Sequence, residues 1–196
     1  MNWKILPNVI TGLRLFLLIP LGYYLINQDY KTAVWIFFIA GSSDALDGFL
    51  AKRFGWVSRI GSILDPIADK ALLVLTMGIL TFNQQIAITL FSLVAIRDIY
   101  ILIGAAIYYK NIGPFDMQPS WLSKFNTFAQ ILLVTCLLVS VSYFQLPEQF
   151  IDALVALVYL SVVSSGIHYT IAWRPKYLKA LKQKNKLNNK QSRDVQ

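Results

Sequence analysis

The sequence predicts an all-α integral membrane bundle of six transmembrane helices with both termini cytoplasmic. Three observations carry that expectation. Hydrophobic residues make up 56% of the 196 and charged residues 14%, against roughly 45–50% and 25% in a soluble domain. Six apolar stretches recur along the chain, each near the roughly 20 residues a helix needs to cross the hydrocarbon core. Lys and Arg gather in alternate loops, as the positive-inside rule requires of cytoplasmic ones. A single soluble core is excluded, because it would need a charged face on most helices, and Leu132–Val141 and Ala153–Val163 have none.

The first span, Val9–Ile26, lacks a basic cluster before it and a small-residue cleavage site after it, so it reads as a mature helix rather than a signal peptide. The polar break Asn27–Lys31 leads to the second span, Thr32–Leu50, and the longer segment Ala51–Ser62 to the third, Ile63–Phe82. Asn83–Gln85 precedes the fourth, Ile86–Tyr109. Lys110–Trp121 precedes the fifth, Leu122–Phe144, and Gln145–Gln149 the sixth, Ile151–Trp173. Breaks this short favour one membrane domain, residues 1–173, followed by a basic cytoplasmic tail, residues 174–196. One side of the membrane then holds Lys4, Lys52, Arg53, Arg59, Lys110 and the tail's basic residues, and the other holds only Lys31, with Asp29, Glu148 and Asp152.

The net charge of +8 taken alone suggests a polyanion binder. Most of the excess lies in the tail, where it reads as a topology signal or a contact with anionic lipid. Tyr177 is the tail's one aromatic, too few for a stacking platform, so no nucleic acid is expected. The single cysteine, Cys136, and single histidine, His168, leave no intramolecular disulfide and no zinc site. His168 is expected to face the bundle as a hydrogen-bonding residue rather than to catalyse. Gly104 and Gly166 are expected at tight helix contacts, and Trp121 and Trp173 at the membrane interface.

The chemistry concentrates between Ser43 and Lys70, which hold four of the ten acids. Asp44 and Asp47 are three apart and Asp65 and Asp69 four apart, so on helices each pair shares a face. Converging carboxylates at a membrane edge repel one another and must be neutralised by protons, bases or metal. Lys52, Arg53, Arg59 and Lys70 could form a structural ion-pair cluster, although buried pairs barely offset their desolvation. A cation or proton transporter is a second reading, but the acids gather at one edge instead of lining a path. Oxygen-only ligation suits magnesium or manganese, and four carboxylates can hold two ions about 3.5–4 Å apart, the arrangement that serves phosphoryl transfer. Gly48, Ala51 and Gly61 leave room beside them for a ligand.

These residues resemble the signature of the CDP-alcohol phosphatidyltransferases: Asp-x-x-Asp-Gly-x-x-Ala-Arg, then Gly-x-x-x-Asp-x-x-x-Asp after eight or nine residues. Asp44, Asp47, Gly48, Ala51, Gly61, Asp65 and Asp69 fill seven of its eight positions. The departure is Lys52 in place of Arg, which keeps the charge and loses the bidentate fork, passing part of any phosphate contact to Arg53. The opening LPNVITGLR, with Asn8, Thr11 and Arg14, is similar to the family's first-helix motif. AGSSDALDGFLAKR, the Arg97–Asp98 pair and QPSWLSKFNTFAQ resemble the branch of eukaryotic-type cardiolipin synthases, with the phosphatidylglycerophosphate synthases close by.

The resemblance implies a membrane-embedded homodimer that transfers a phosphatidyl group from CDP-diacylglycerol to an alcohol and releases CMP. It implies two divalent ions, Mg2+ or Mn2+, on Asp44, Asp47, Asp65 and Asp69, with Asp69 also the general base. Asn8, Asp47, Gly48, Ala51, Lys52 and Gly61 would bind the CDP moiety. Arg97 in the fourth span and Lys124 at the start of the fifth are candidates for the acceptor's phosphate, although Arg97 could equally pair with Asp98 or with the aspartate cluster. The favoured acceptor is phosphatidylglycerol, giving cardiolipin; glycerol 3-phosphate is the alternative. The absence of an Arg-rich, acid-poor transit segment favours a bacterial cytoplasmic membrane over the mitochondrial inner membrane.

Overall fold

The computed structural model describes residues 6–54, 61–112 and 120–194. Within these, the side chains of residues 6–8, 44–54, 61–63, 66, 112, 174, 176, 179, 180 and 182–194 lie outside the description. Six α-helices follow one another: α1 (Leu6–Ile26), α2 (Tyr30–Phe54), α3 (Gly61–Phe82), α4 (Ile88–Ile112), α5 (Trp121–Ser142) and α6 (Glu148–Asp194). No strand occurs among the described residues. Four stretches there are long and apolar enough to cross a membrane: Val9–Ile26, Ile88–Asn111, Trp121–Ser142 and Glu148–Trp173. The chain is a multi-pass membrane protein, and Phe16, Ile19, Ile96, Leu102, Phe128 and Leu160 stand exposed on it, where a soluble protein would place polar side chains.

Several helices outrun the apolar windows of the sequence. α2 continues to Phe54, α4 to Ile112 and α6 to Asp194. Hydropathy marks the hydrocarbon layer, whereas a helix persists as long as its backbone groups pair along it. The 47 residues of α6 amount to about 70 Å at about 1.5 Å per residue. Pro175 lies inside it and removes one backbone donor.

The chain divides into two compact units, Met1–Phe91 with Gln130–Leu154, and Ser92–Ala129 with Val155–Gln196. In the first unit α1 packs against α2 and α3. Thr11, Arg14, Leu21 and Leu25 form the buried stripe of α1, at spacings that keep them on one helix face. A side chain at Gly22 would stand 3.7 Å from Leu75 and Ile79, and Asn83 Nδ2 donates to the Leu25 carbonyl at 2.8 Å and to Tyr30 Oη at 3.1 Å. Partners on α1 and α3 thus advance together along the chain, so the two helices run parallel, and α1 packs against both α3 and the returning α2.

Both α1 and α3 end in a left-handed residue, Gln28 (φ 59°) and Gln84 (φ 61°). The next amide turns back to the helix at each: Asp29 N–H to Tyr24 O at 2.9 Å, and Gln85 N–H to Leu80 O at 2.8 Å. This closes carbonyls that the helix end would leave unpaired. Asp29 then caps α2, its carboxylate accepting from the Thr32 amide at 3.2 Å and the Thr32 hydroxyl at 2.8 Å.

In the second unit α4 and α6 run parallel. Tyr169 lies over Gly104, where an added Cβ would meet its Oη at 2.8 Å. Tyr169, Trp173 and Tyr177, one turn apart on α6, stack at 5.9 and 5.0 Å between centroids, and Asn111 Nδ2 donates to Tyr177 Oη at 2.7 Å. Gly104 is therefore a packing glycine, as expected. Gly166 is not, since a Cβ there would meet nothing within 4 Å. His168 also departs from expectation: it is exposed, because Ser165 and Tyr169 take the inward positions of that turn.

Candidate functional site

The first unit brings the start of α3 against the start of α1 and the later part of α2. Asp65 and Asp69, one helical turn apart on α3, are both half-buried. The Thr11 hydroxyl donates to Asp65 Oδ1 at 2.6 Å. Arg14 Nη1 donates to Asp69 Oδ1 at 2.5 Å. The side chain of Arg14 is 0% exposed, while that of Asp69 is 43% exposed, so the carboxylate that meets the buried guanidinium is itself partly accessible. Arg14 Nε also donates, at 3.4 Å, to Ser43 Oγ on α2, and Ser43 sends its own proton to the Ala40 carbonyl at 2.7 Å.

Asp44 and Asp47 follow Ser43 within the helical backbone of α2. Their side chains, and those of Asn8, Gly48, Ala51, Lys52, Arg53 and Gly61, lie outside the described residues. The pair that is described fits a hard divalent cation: two carboxylates on one helix face, supplying oxygen donors alone. Thr11 and Arg14 were legible as part of a motif but carried no assigned partner. Their spacing of three, set against the spacing of four in Asp65 and Asp69, was the available signal.

In the second unit Arg97 is buried, 8% exposed, beside Asp98 at 7%. Arg97 Nη1 donates to Asp98 Oδ1 at 2.9 Å. Its Nη2 donates to Ser123 Oγ at 2.8 Å and also to Ser165 Oγ, leaving Nε without a hydrogen-bond partner. Of the pairings left open by the sequence, the structure contains the one with Asp98. Lys124, next to Ser123, is exposed on α5. One turn on, the buried Asn126 accepts from the Ser161 hydroxyl at 2.9 Å. Ser123 was read only as part of the SKFNT segment and Ser161 and Ser165 were not singled out by the sequence, although small polar residues four apart in an apolar span, as the last two are, are a known signal of helix contact.

Comparison with known proteins identifies relatives of the chain. A family model described as CDP-alcohol phosphatidyltransferase matches residues 4–167. The chain is 34% identical to the human cardiolipin synthase (CMP-forming) over 152 aligned positions, covering 67% of this chain and 49% of that protein. It is 29% identical to the CDP-diacylglycerol–glycerol-3-phosphate 3-phosphatidyltransferase of Aquifex aeolicus, covering 90% of this chain and 96% of that one. The chloroplastic enzyme of the same name from rice is 29% identical, over 86% of this chain and 57% of its own. The chain thus spans about half the length of the human relative and nearly all of the Aquifex one. Matched over most of its length and holding the aspartates of α3 at the expected register, the chain belongs to the CDP-alcohol phosphatidyltransferase family.

Proposed function

We propose that the protein transfers the phosphatidyl group of CDP-diacylglycerol to a phosphate-bearing alcohol, with phosphatidylglycerol the favoured acceptor and cardiolipin the product. The observation that carries this reading is the signature ending in Asp65 and Asp69 on one face of α3, inside a chain matched by the family over residues 4–167. Asp44, Asp47, Asp65 and Asp69 would hold two Mg2+ or Mn2+ ions, which when bound would offset the negative charge of the diphosphate. By the family resemblance, Asn8 and Lys52, or Arg53 in place of Lys52, would bind that diphosphate, and Gly48, Ala51 and Gly61 would serve the cytidine.

Asp69 acts as the general base. It takes the proton of the acceptor hydroxyl while that oxygen bonds to the phosphorus carrying diacylglycerol; the bond from this phosphorus to the CMP oxygen breaks, and CMP leaves with the electron pair. The partial exposure of Asp69 supports this role, since a base must be reached by its substrate. Lys124, exposed on α5, would receive the acceptor's phosphate, whereas Arg97 is buried and already bonded to Asp98, Ser123 and Ser165. All six helices span the membrane with both termini in the cytoplasm, the functional form is a homodimer, and the membrane is the bacterial cytoplasmic one. The excess of basic residues on one set of loops supports that orientation.

Purified protein in detergent, given CDP-diacylglycerol and Mn2+, is expected to release CMP on addition of phosphatidylglycerol. Release with glycerol 3-phosphate and none with phosphatidylglycerol would replace the acceptor assignment by the glycerophosphate one. That second reading has a specific support: the relative from Aquifex, covered over 96% of its length, bears that name.

A further inference from the structure

We propose that Arg14 and Thr11 are positioning residues, which hold the carboxylates of α3 at a fixed orientation and tie them to α2. The inference deepens the functional reading above and rests on it for the role of the aspartates.

Arg14 is charged, wholly buried and set in an apolar helix. Such a residue carries a desolvation cost that only specific partners offset. Its partners lie on two different helices. One arm reaches Asp69 Oδ1 on α3 at 2.5 Å, and Nε reaches Ser43 Oγ on α2 at 3.4 Å. Ser43 commits its own proton to Ala40 O, so it presents a lone pair to Arg14 and the direction of the bond is fixed. Ser43 immediately precedes Asp44. A single planar group therefore links the helix that carries one aspartate pair to an aspartate of the other.

One turn earlier on α1, the fully buried Thr11 makes a second rung by donating to Asp65 Oδ1 at 2.6 Å. Two rungs between parallel helices fix both the height and the rotation of α3 relative to α1. A carboxylate that also receives such a bond presents its remaining lone pairs in one direction, as outer partners do for metal ligands. Lysine at position 14 would keep the charge without the fork, because an ammonium cannot span two acceptors with the same geometry.

The test uses the full chain in detergent micelles with Arg14→Lys, Arg14→Gln, Thr11→Val and Thr11→Ser. Two readouts are taken: the kcat and KM for CDP-diacylglycerol, and the rise in melting temperature on titrating Mn2+, which requires no turnover. Arg14→Lys is expected to lower kcat and weaken the Mn2+ midpoint by about 10–100-fold each, the usual effect of removing an outer partner. The KM is expected to stay within about twofold, as for an interaction that acts in the transition state. Should Arg14→Gln fail to fold, the Thr11 pair decides: Thr11→Val is expected to weaken the Mn2+ midpoint, and Thr11→Ser, which keeps the hydroxyl, to retain it. Variants that melt earlier yet keep the wild-type Mn2+ midpoint and kcat would overturn the proposal and leave a packing role only. If the wild type itself released no CMP, the functional reading would fail, while the Mn2+ shift would still decide the part played by Arg14.

Discussion

Asp65 and Asp69 are neighbours on one face of α3 with different surroundings. Asp65 receives a neutral hydroxyl at 2.6 Å, whereas Asp69 meets a buried guanidinium. Asp65→Asn tests the charge of the first alone, because the amide oxygen can still accept from Thr11. CMP release is expected to fall by more than about 100-fold, a loss on the scale of removing a charge that offsets negative charge in the transition state, with unchanged helical circular dichroism. An active Asp65→Asn protein would refute the metal assignment. The aspartates themselves were legible, since spacing on a helix is a local property. Their partners were not, because the register of α1 on α3 is set further along, where Leu75 and Ile79 close over Gly22 and Asn83 reaches Leu25. Arg97 shows the same limit: Asp98 is adjacent in sequence, but Ser123 and Ser165 come from other helices.

At the scale of elements, each of the six helices covers most or all of one apolar window, and the breaks Asn27–Lys31 and Asn83–Gln85 fall at real turns. Their chemistry was hidden, since glutamine rather than glycine takes the left-handed position in both. Asp29→Ala removes the cap of α2 and is expected to cost about 1 kcal/mol, read as a lower melting temperature in detergent. The seam between α4 and α6 offers a sharper test. Gly104→Ala forces a Cβ against Tyr169 Oη, at 2.8 Å, and overpacking of this kind costs about 1–3 kcal/mol. In a Tyr169→Phe background the nearest atom is gone, so the cost is expected to shrink; equal costs in both backgrounds would show that the two residues do not meet. The length of α6 was the largest departure at this scale, because polarity beyond Trp173 marks where the membrane ends and not where the helix does.

For the whole molecule, the charge of +8 separates into a basic side proposed to face the cytoplasm and an acidic site where lipid chemistry is proposed. Orientation is open to direct measurement, since Cys136 is the chain's single thiol and its removal gives a cysteine-free background. Cysteines placed one at a time at Gln28, Gln145 and Asn188 are expected to react with an impermeant maleimide from opposite sides of sealed vesicles, the first two from the outside and the last from the cytoplasmic side. Reaction of all three from one side would contradict the six-span arrangement. The central claim, phosphatidyl transfer at the aspartate site, is met most directly by counting products. Purified wild-type protein with CDP-diacylglycerol, Mn2+ and phosphatidylglycerol is predicted to form CMP and cardiolipin in equal amounts, and the Asp69→Asn protein to form neither. CMP no higher in the wild type than in Asp69→Asn, with phosphatidylglycerol and with glycerol 3-phosphate alike, would contradict it.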